Sequence, residues 1–168
     1  MEVFEAIKKR RSIRNYLDKD VEEEKLLKIL EAARLAPSAR NRQEWRFIVV
    51  KDKVLREKLV KEASPHQLFM LTAPVIIVAY TLDKNYIMRC GVPAHYIDLS
   101  IALTHIHLQA VEEGLGTCWI GSFYQDKVKK VLGLPEEAEV VQLMTLGYPA
   151  EDPEPRPRLS LEEIVKFY

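Results

Sequence analysis

An α+β fold is predicted, and three observations predict it. Helix-period and strand-like segments occur without the strict strand–helix–strand repeat of a parallel α/β domain. Pro74-Val75-Ile76-Ile77-Val78-Ala79-Tyr80 is a continuous apolar run, the pattern of a central strand buried on both faces. Pro93 to Glu113 reads as one long helix in which Asp98 is the single obligate charge between Ala94 and Val111. A helix apolar on nearly every face is buried on nearly every face, inside the domain or against a second copy of the chain.

Val3, Phe4 and Ile7 recur at helical spacing and give a short helix through Lys9. Leu17 to Asp20 is a turn, and Asp20 with Glu23 has the form of a capping box for a helix over Glu22 to Leu35. Leu26, Leu27, Leu30, Ala33 and Leu35 lie on or near one face of it, and Pro37 ends it. Trp45 to Val50 is a strand of aromatic and β-branched residues. Asp52 caps a helix from Lys53 to about Ala63, Pro65 to Leu71 is a short helix, and residues 81–93 are irregular. Gly114 stops the long helix. Thr117 to Ile120 is a short strand, Gln125 to Leu132 a helix ended by Gly133, and Val140 to Leu146 another strand. Prolines 149, 153, 155 and 157 keep the next segment extended, and Ser160 with Glu163 opens a terminal helix to Tyr168. Trp45 and Trp119 read as core packing.

The 168 residues fit one domain, 1–168, and a composition 48% hydrophobic supplies a sizeable core. Twenty-five basic residues balance 25 acidic ones, so net charge gives no reason to expect a nucleic-acid partner. Cys90 and Cys118 make no disulfide framework. No apolar stretch has the length of a membrane span or the form of a signal core, so a soluble cytoplasmic protein with no membrane partner is expected.

Positive charge is local. Arg10-Arg11-Ser12-Ile13-Arg14 sets three guanidinium groups and a hydroxyl within five residues, where the first helix ends. Guanidinium forks bind phosphate or carboxylate through bidentate, charge-assisted hydrogen bonds. The alternative is a solvated basic helix end, favoured by the helix dipole. A phosphate would have to be held by side chains, because no P-loop is present. Gly114-x-Gly116 follows a helix and precedes a strand, the wrong order for a dinucleotide fingerprint. No metal is expected: His105 and His107, two apart, point about 200° from each other around a helix. No nucleophile–base pair is visible, so no side chain is assigned as catalytic, and an enzyme here needs a cofactor to carry the chemistry.

Ala36-Pro37-Ser38-Ala39-Arg40-Asn41-Arg42-Gln43-Glu44-Trp45 is a polar loop between helix and strand. Taken with Arg10-Arg11-Ser12-x-Arg14, with Gly114-Leu115-Gly116-Thr117-Cys118-Trp119-Ile120-Gly121, and with Leu146-Gly147-Tyr148-Pro149 followed by Arg156-Pro157-Arg158, it resembles the flavin-dependent (FMN) nitroreductase family. Each motif alone is weak; the four occur in the family's order, from about residue 2 to about 165.

The resemblance implies a nitroreductase-like fold: a central mixed β-sheet surrounded by helices, with the long buried helix at a homodimer interface. It implies FMN as cofactor and NADH or NADPH as transient electron donor. Arg10, Arg11 and Ser12 would then face the phosphate and ribityl chain, and Arg156 and Arg158 would return to the phosphate. Arg14 would support the reduced ring electrostatically, and Asn41 would bond the same pyrimidine edge. Pro37, Ser38, Ala39 and Gln43 would line the site from the other subunit, and Ile120-Gly121 would meet flavin N5. The implied activity is ping-pong hydride transfer to a small-molecule acceptor such as a nitroaromatic or quinone. Reductive dehalogenation or flavin fragmentation in the same fold is the alternative within the family, and a non-catalytic anion-binding regulatory module the alternative outside it. Glu44 departs from the family's usual proline, which puts an acid near the site and predicts a less rigid loop.

Overall fold

In the computed structural model, which describes residues 1–168, helices cover both faces of one four-stranded sheet. The helices are α1 (Val3–Lys9), α2 (Glu23–Arg34), α3 (Lys53–Ala63), α4 (Ala94–Glu112), α5 (Gln125–Leu132) and α6 (Leu161–Ile164). The strands are β1 (Arg46–Val50), β2 (Val75–Thr81), β3 (Gly116–Ile120) and β4 (Glu139–Gly147), and 3-10 turns occupy Ala39–Asn41 and Leu68–Thr72. The α+β class holds. No helix is long and apolar enough to cross a membrane.

The strand order is β1-β2-β4-β3 and every pairing is antiparallel, which corrects the expectation of a mixed sheet. β4 inserts between β2 and β3, so each strand lies beside neighbours running the opposite way. The one parallel pairing is an isolated bridge between Ser12 and Thr117. Strand β2 is central and buried on both faces, as its apolar run requires. Side chains alternate across it: Val75, Ile77 and Ala79 join Ile29, Leu99, Leu103 and Ile106 of α2 and α4. Ile76 and Val78 join Leu59, Val60 and Val128 of α3 and α5 on the opposite face.

Local signals set several boundaries as read. Asp52 accepts the Leu55 N–H at 2.8 Å and starts α3, while Gly114 and Gly133 adopt left-handed φ of 73° and 64° and stop α4 and α5. Other boundaries yield to tertiary contacts. Asp20 does not cap α2: Glu22 stands at the N-cap, and its carboxylate accepts the Tyr148 hydroxyl at 2.6 Å. In α2 Leu26, Ile29 and Ala33 are buried, whereas Leu27 and the C-cap residue Leu35 face solvent. Trp45 is buried, but Trp119 is 37% exposed, because alternation along edge strand β3 turns it outward. The Ser160–Glu163 capping box forms, yet α6 stops at Ile164 instead of running to Tyr168. Nothing packs on it, and so short a helix does not propagate in water alone.

Helix α4 is buried on one side only. Ala94, His95, Asp98, Leu99, Ala102, Leu103, Ile106, His107 and Ala110 are covered within the chain. Tyr96 and Ile97 remain exposed, and Ile101, Leu108 and Val111 are partly so. The polarity of this far face is muted, because Ser100 and Thr104 donate their hydroxyls to helix carbonyls four residues back, at 2.6 and 2.8 Å. Phe4 and Val3 of α1, at 67% and 69% exposure, continue the uncovered apolar surface.

Candidate functional site

After α1 the chain runs extended, and residues 12–17 are held from two sides. The Ile13 N–H donates to the Thr117 carbonyl at 2.9 Å. On the other side, the Leu17 N–H donates to Tyr148 and the Ala150 N–H donates to Asn15, both at 2.9 Å. Ile13 and Tyr16 turn inward as buried anchors beside Ala73. The Tyr16 hydroxyl donates to the Ile13 carbonyl and pairs with Thr145 Oγ1, each at 2.7 Å, and burial pushes its ionisation up. Gly116 lets the segment approach, since a Cβ there would lie 2.6 Å from Ile13 Cγ1.

This docking presents the basic stretch to a cavity of about 610 Å³ lined by Arg10, Arg11, Ser12 and Arg14 from one end of the chain and Arg156 and Arg158 from the other. None of these arginines is ion-paired; the ion-paired arginines, Arg34 and Arg42, lie elsewhere. Burial, followed by the neighbouring charges of Arg158 and Arg11, pulls the Arg10 pKa down. Glu154 also lines the cavity and pairs with none of these arginines; the cations outnumber it, and the repulsion among them would be relieved by a multiply charged anion. Ser12 lines the same cavity and adds a hydroxyl to the guanidinium donors.

The arginines differ in role. Arg11 is largely committed to backbone: Nη1 donates to the Lys8 and Arg10 carbonyls at 2.6 and 3.1 Å, and Nε donates to Pro153 at 3.1 Å. It caps the end of α1 and ties the C-terminal segment to it, and its Nη2 makes no hydrogen bond within the chain. Arg158 donates to the Arg156 and Pro157 carbonyls, which stiffens the opposite wall. Arg14 extends over the Phe69 ring, 5.9 Å from its centroid.

The second group of expected residues is not brought to this cavity within one chain. Pro37, Ser38, Ala39, Asn41 and Gln43 lead into β1, one edge of the sheet, whereas Ser12 bridges to β3, the other edge. Three strand spacings, about 14 Å, separate these edges. The loop is nevertheless tightly built. Arg40, Asn41 and Gln43 hold φ near +54°, a left-handed cluster unusual for residues with a Cβ. The Gln43 N–H donates to Ser38 Oγ at 3.1 Å, and the Ala39 N–H donates to Asp98 Oδ1 of α4 at 3.0 Å. Glu44 does not loosen it: it pairs with Arg42 at 3.1 Å, and Arg42 also holds Asp83. Ile120 is buried in the core, so only its backbone can serve a site, and Gly121 borders a separate small cavity beside His66 and Phe123.

Sequence reasoning missed the groups beneath the arginines. His107 Nδ1 lies 2.5 Å from Thr117 Oγ1, and its ring stacks on Trp119 at 6.0 Å. Burial, then the Arg10 charge, lowers its pKa to about 4, so it stays neutral. Cys118 lies close to Ser12, Arg10 and Arg14, and burial pushes its thiol up. Thr117, Cys118 and Trp119 lie in the Gly114–Gly121 motif, but nothing in it marks their meeting with His107 and the arginines, whereas Asp98 had a signal as the lone charge of an apolar helix.

Fold and cavity together give an α+β domain with an arginine-lined cavity built from both ends of the chain. Residues 7–68 and 61–148 match the model of the Nitroreductase family, and the chain belongs to that family. An NADH dehydrogenase of Thermus thermophilus is 37% identical over 191 residues, covering 95% of this chain and 93% of that protein. A solved nitroreductase family protein of Clostridium difficile superposes with a TM-score of 0.88 at 36% identity, covering 99% of this chain and 98% of the other. An FMN-dependent nitroreductase from a second strain of that species gives 0.84 at 34% identity, with 96% of each chain covered.

Proposed function

We propose that this chain is a homodimeric, FMN-dependent oxidoreductase that passes electrons from NADH or NADPH to a small acceptor such as a quinone or nitroaromatic. The observation that carries the reading is the set of unpaired arginines converging from both ends of the chain on one cavity. The relatives named above, an FMN-dependent nitroreductase and an NADH dehydrogenase, support the cofactor and the donor. Arg10, Ser12, Arg158 and the free edge of Arg11 would hold the phosphate, with Arg156 at the mouth. Arg14 would set a cation where the reduced ring gains charge, which favours the reduced form. Asn41 and Gln43, with the Pro37-Ser38-Ala39 backbone, would complete the site from the partner, and the Ile120-Gly121 backbone would face the ring.

FMN when bound supplies two-electron chemistry that no side chain here can. The net reaction moves a hydride from the nicotinamide and a proton from water onto a quinone, giving a hydroquinone, or onto a nitro group, giving a nitroso product and water. The dimer is supported by what one chain leaves uncovered: the far face of α4, the apolar face of α1, and an arm carrying Leu159, Leu161, Ile164 and Phe167 with no partner of its own. The two cysteines are unpaired, in keeping with a cytoplasmic location.

Steady-state kinetics test the reading. FMN-loaded protein with a visible band near ~450 nm should oxidise NADH or NADPH only when a quinone or nitroaromatic is supplied, and should give parallel double-reciprocal lines as donor is varied at fixed acceptor. A colourless protein that binds phosphate but oxidises neither nicotinamide would leave a regulatory anion-binding module as the better reading.

A further inference from the structure

Glu151 stands beside the arginine cavity without neutralising it. A carboxylate next to a phosphate site is unfavourable unless it has another task, and its bonding shows the task. Glu151 Oε1 accepts the backbone N–H of Arg14 at 2.5 Å and that of Asn15 at 3.2 Å. It forms no ion pair, although Arg14 is adjacent in the same structure and its charge reaches the same buried groups, Tyr16 and Cys118. Its register is fixed from both sides. The Ala150 N–H donates to the Asn15 carbonyl, Tyr16 pairs with Pro149, and Glu151 follows directly. Where a strand would have supplied the next backbone acceptor, the chain supplies a carboxylate that takes two N–H groups at once. Arg14 and Asn15 have no other partner for those donors.

We infer that Glu151 is a positioning residue: through its bonds to the Arg14 and Asn15 backbone it holds the arginine stretch in the geometry that receives the flavin phosphate and presents Arg14. This rests on the FMN reading above. One acceptor oxygen bridging two consecutive N–H donors fixes the segment more firmly than a single turn bond would. Losing this one acceptor and its two bonds frees the backbone between the Ser12–Thr117 and Tyr16–Pro149 bridges, where Arg14 sits. Charge and acceptor geometry then make opposite predictions. If the carboxylate acted only through its charge, it would repel phosphate, and removing that charge would tighten FMN binding.

Three substitutions separate these roles. Glu151→Gln keeps an acceptor oxygen at the same reach and removes the charge. Glu151→Asp keeps the charge and loses the reach. Glu151→Ala loses both. FMN and riboflavin affinities of the apoproteins, and the reduction potential of bound FMN, are measured for each beside the native protein. The expected result is FMN affinity weakened on the order of tenfold, the factor that ~1.4 kcal/mol represents, in the Ala and Asp variants. Their FMN potential should fall, and Gln should restore both quantities to near native. Tighter FMN binding in both Gln and Ala variants would overturn the inference in favour of plain repulsion. Native affinity and potential in the Asp variant would overturn it too, and that arm stands even if the Ala variant does not fold. Native protein that binds riboflavin as tightly as FMN would instead overturn the phosphate reading itself, and this inference with it.

Discussion

Gly116→Ala tests whether the docking of residues 12–17 on β3 sets the cavity. A Cβ at position 116 would lie 2.6 Å from Ile13 Cγ1, 2.9 Å from Ile13 Cβ and 3.2 Å from Ile13 Cγ2. The first two distances are too short to exist, so Ile13 must move. Ile13 is 6% exposed and packs beside Tyr16 and Ala73, so shifting its side chain also shifts the backbone that carries it. Overpacking of this kind costs roughly 1–3 kcal/mol, and the Ile13–Thr117 hydrogen bond is the first to lengthen. Urea unfolding should show that loss. FMN affinity should fall on the order of tenfold, because Ser12 and Arg14 flank the displaced residue. Adding Ile13→Ala removes the Cγ1 and Cγ2 contacts. The double variant should lose further stability, since Ile→Ala in a core costs about 2–5 kcal/mol, yet should recover part of the FMN affinity. Stability and affinity thus move in opposite directions between single and double variants. Native FMN affinity in Gly116→Ala would refute the claim that this close approach positions the arginines.

Arg14→Ala should lower the potential of bound FMN, since each ~1.4 kcal/mol of lost preference for the reduced ring is about 30 mV in a two-electron couple; an unchanged potential in folded, loaded protein would place Arg14 away from the ring. His107 carries a pH dependence. Its folded-state pKa of about 4 lies below the ordinary 6.5, so the unfolded chain binds the proton more readily. Its neutral form contributes fully above about pH 6.5 and that contribution is lost as pH falls toward 4, about 2–3 kcal/mol by pH 4.5. Urea titrations at pH 7.5 and 4.5 should show this loss in native protein and a smaller one in His107→Gln, which keeps a partner for Thr117; equal losses would assign the acid sensitivity to other groups. Ile97→Glu places a charge on the uncovered face of α4, where Ile97 is 41% exposed in one chain and would be covered in the proposed dimer. Sedimentation should show monomer for the variant and dimer for the native protein, because a buried unpaired charge costs about 3–5 kcal/mol; a dimeric Ile97→Glu would move the interface elsewhere.

What the sequence made legible follows from the range of each signal. Asp52, Gly114 and Gly133 act on their own turn of backbone, and the elements they bound were readable to within a residue or two. The β2 run announced a buried strand, but not that β4 would lie beside it, since strand order is decided by contacts far apart in the chain. Leu27, Leu35 and Trp119 share the hydrophobicity of core residues and differ from them only in where tertiary packing points them. In the site, the arginines of residues 10–14 stood out locally, whereas their meeting with Arg156 and Arg158 was expected only through family resemblance. Glu151 carried no pattern, and neither the motif holding Thr117 nor the spacing of His107 showed that the two meet: each matters through a bond to a distant or buried partner.

The proposed function turns on a phosphate received by Arg10, Ser12 and Arg158. Titrating FMN and riboflavin into native and Arg10→Ala apoprotein tests it most directly. A lost charge-assisted contact of about 1.5–3 kcal/mol predicts FMN binding roughly 10- to 150-fold weaker in Arg10→Ala. Riboflavin, which lacks the phosphate, should bind the native protein weakly and be nearly indifferent to the substitution. A loss of the same factor for both ligands would contradict the phosphate assignment.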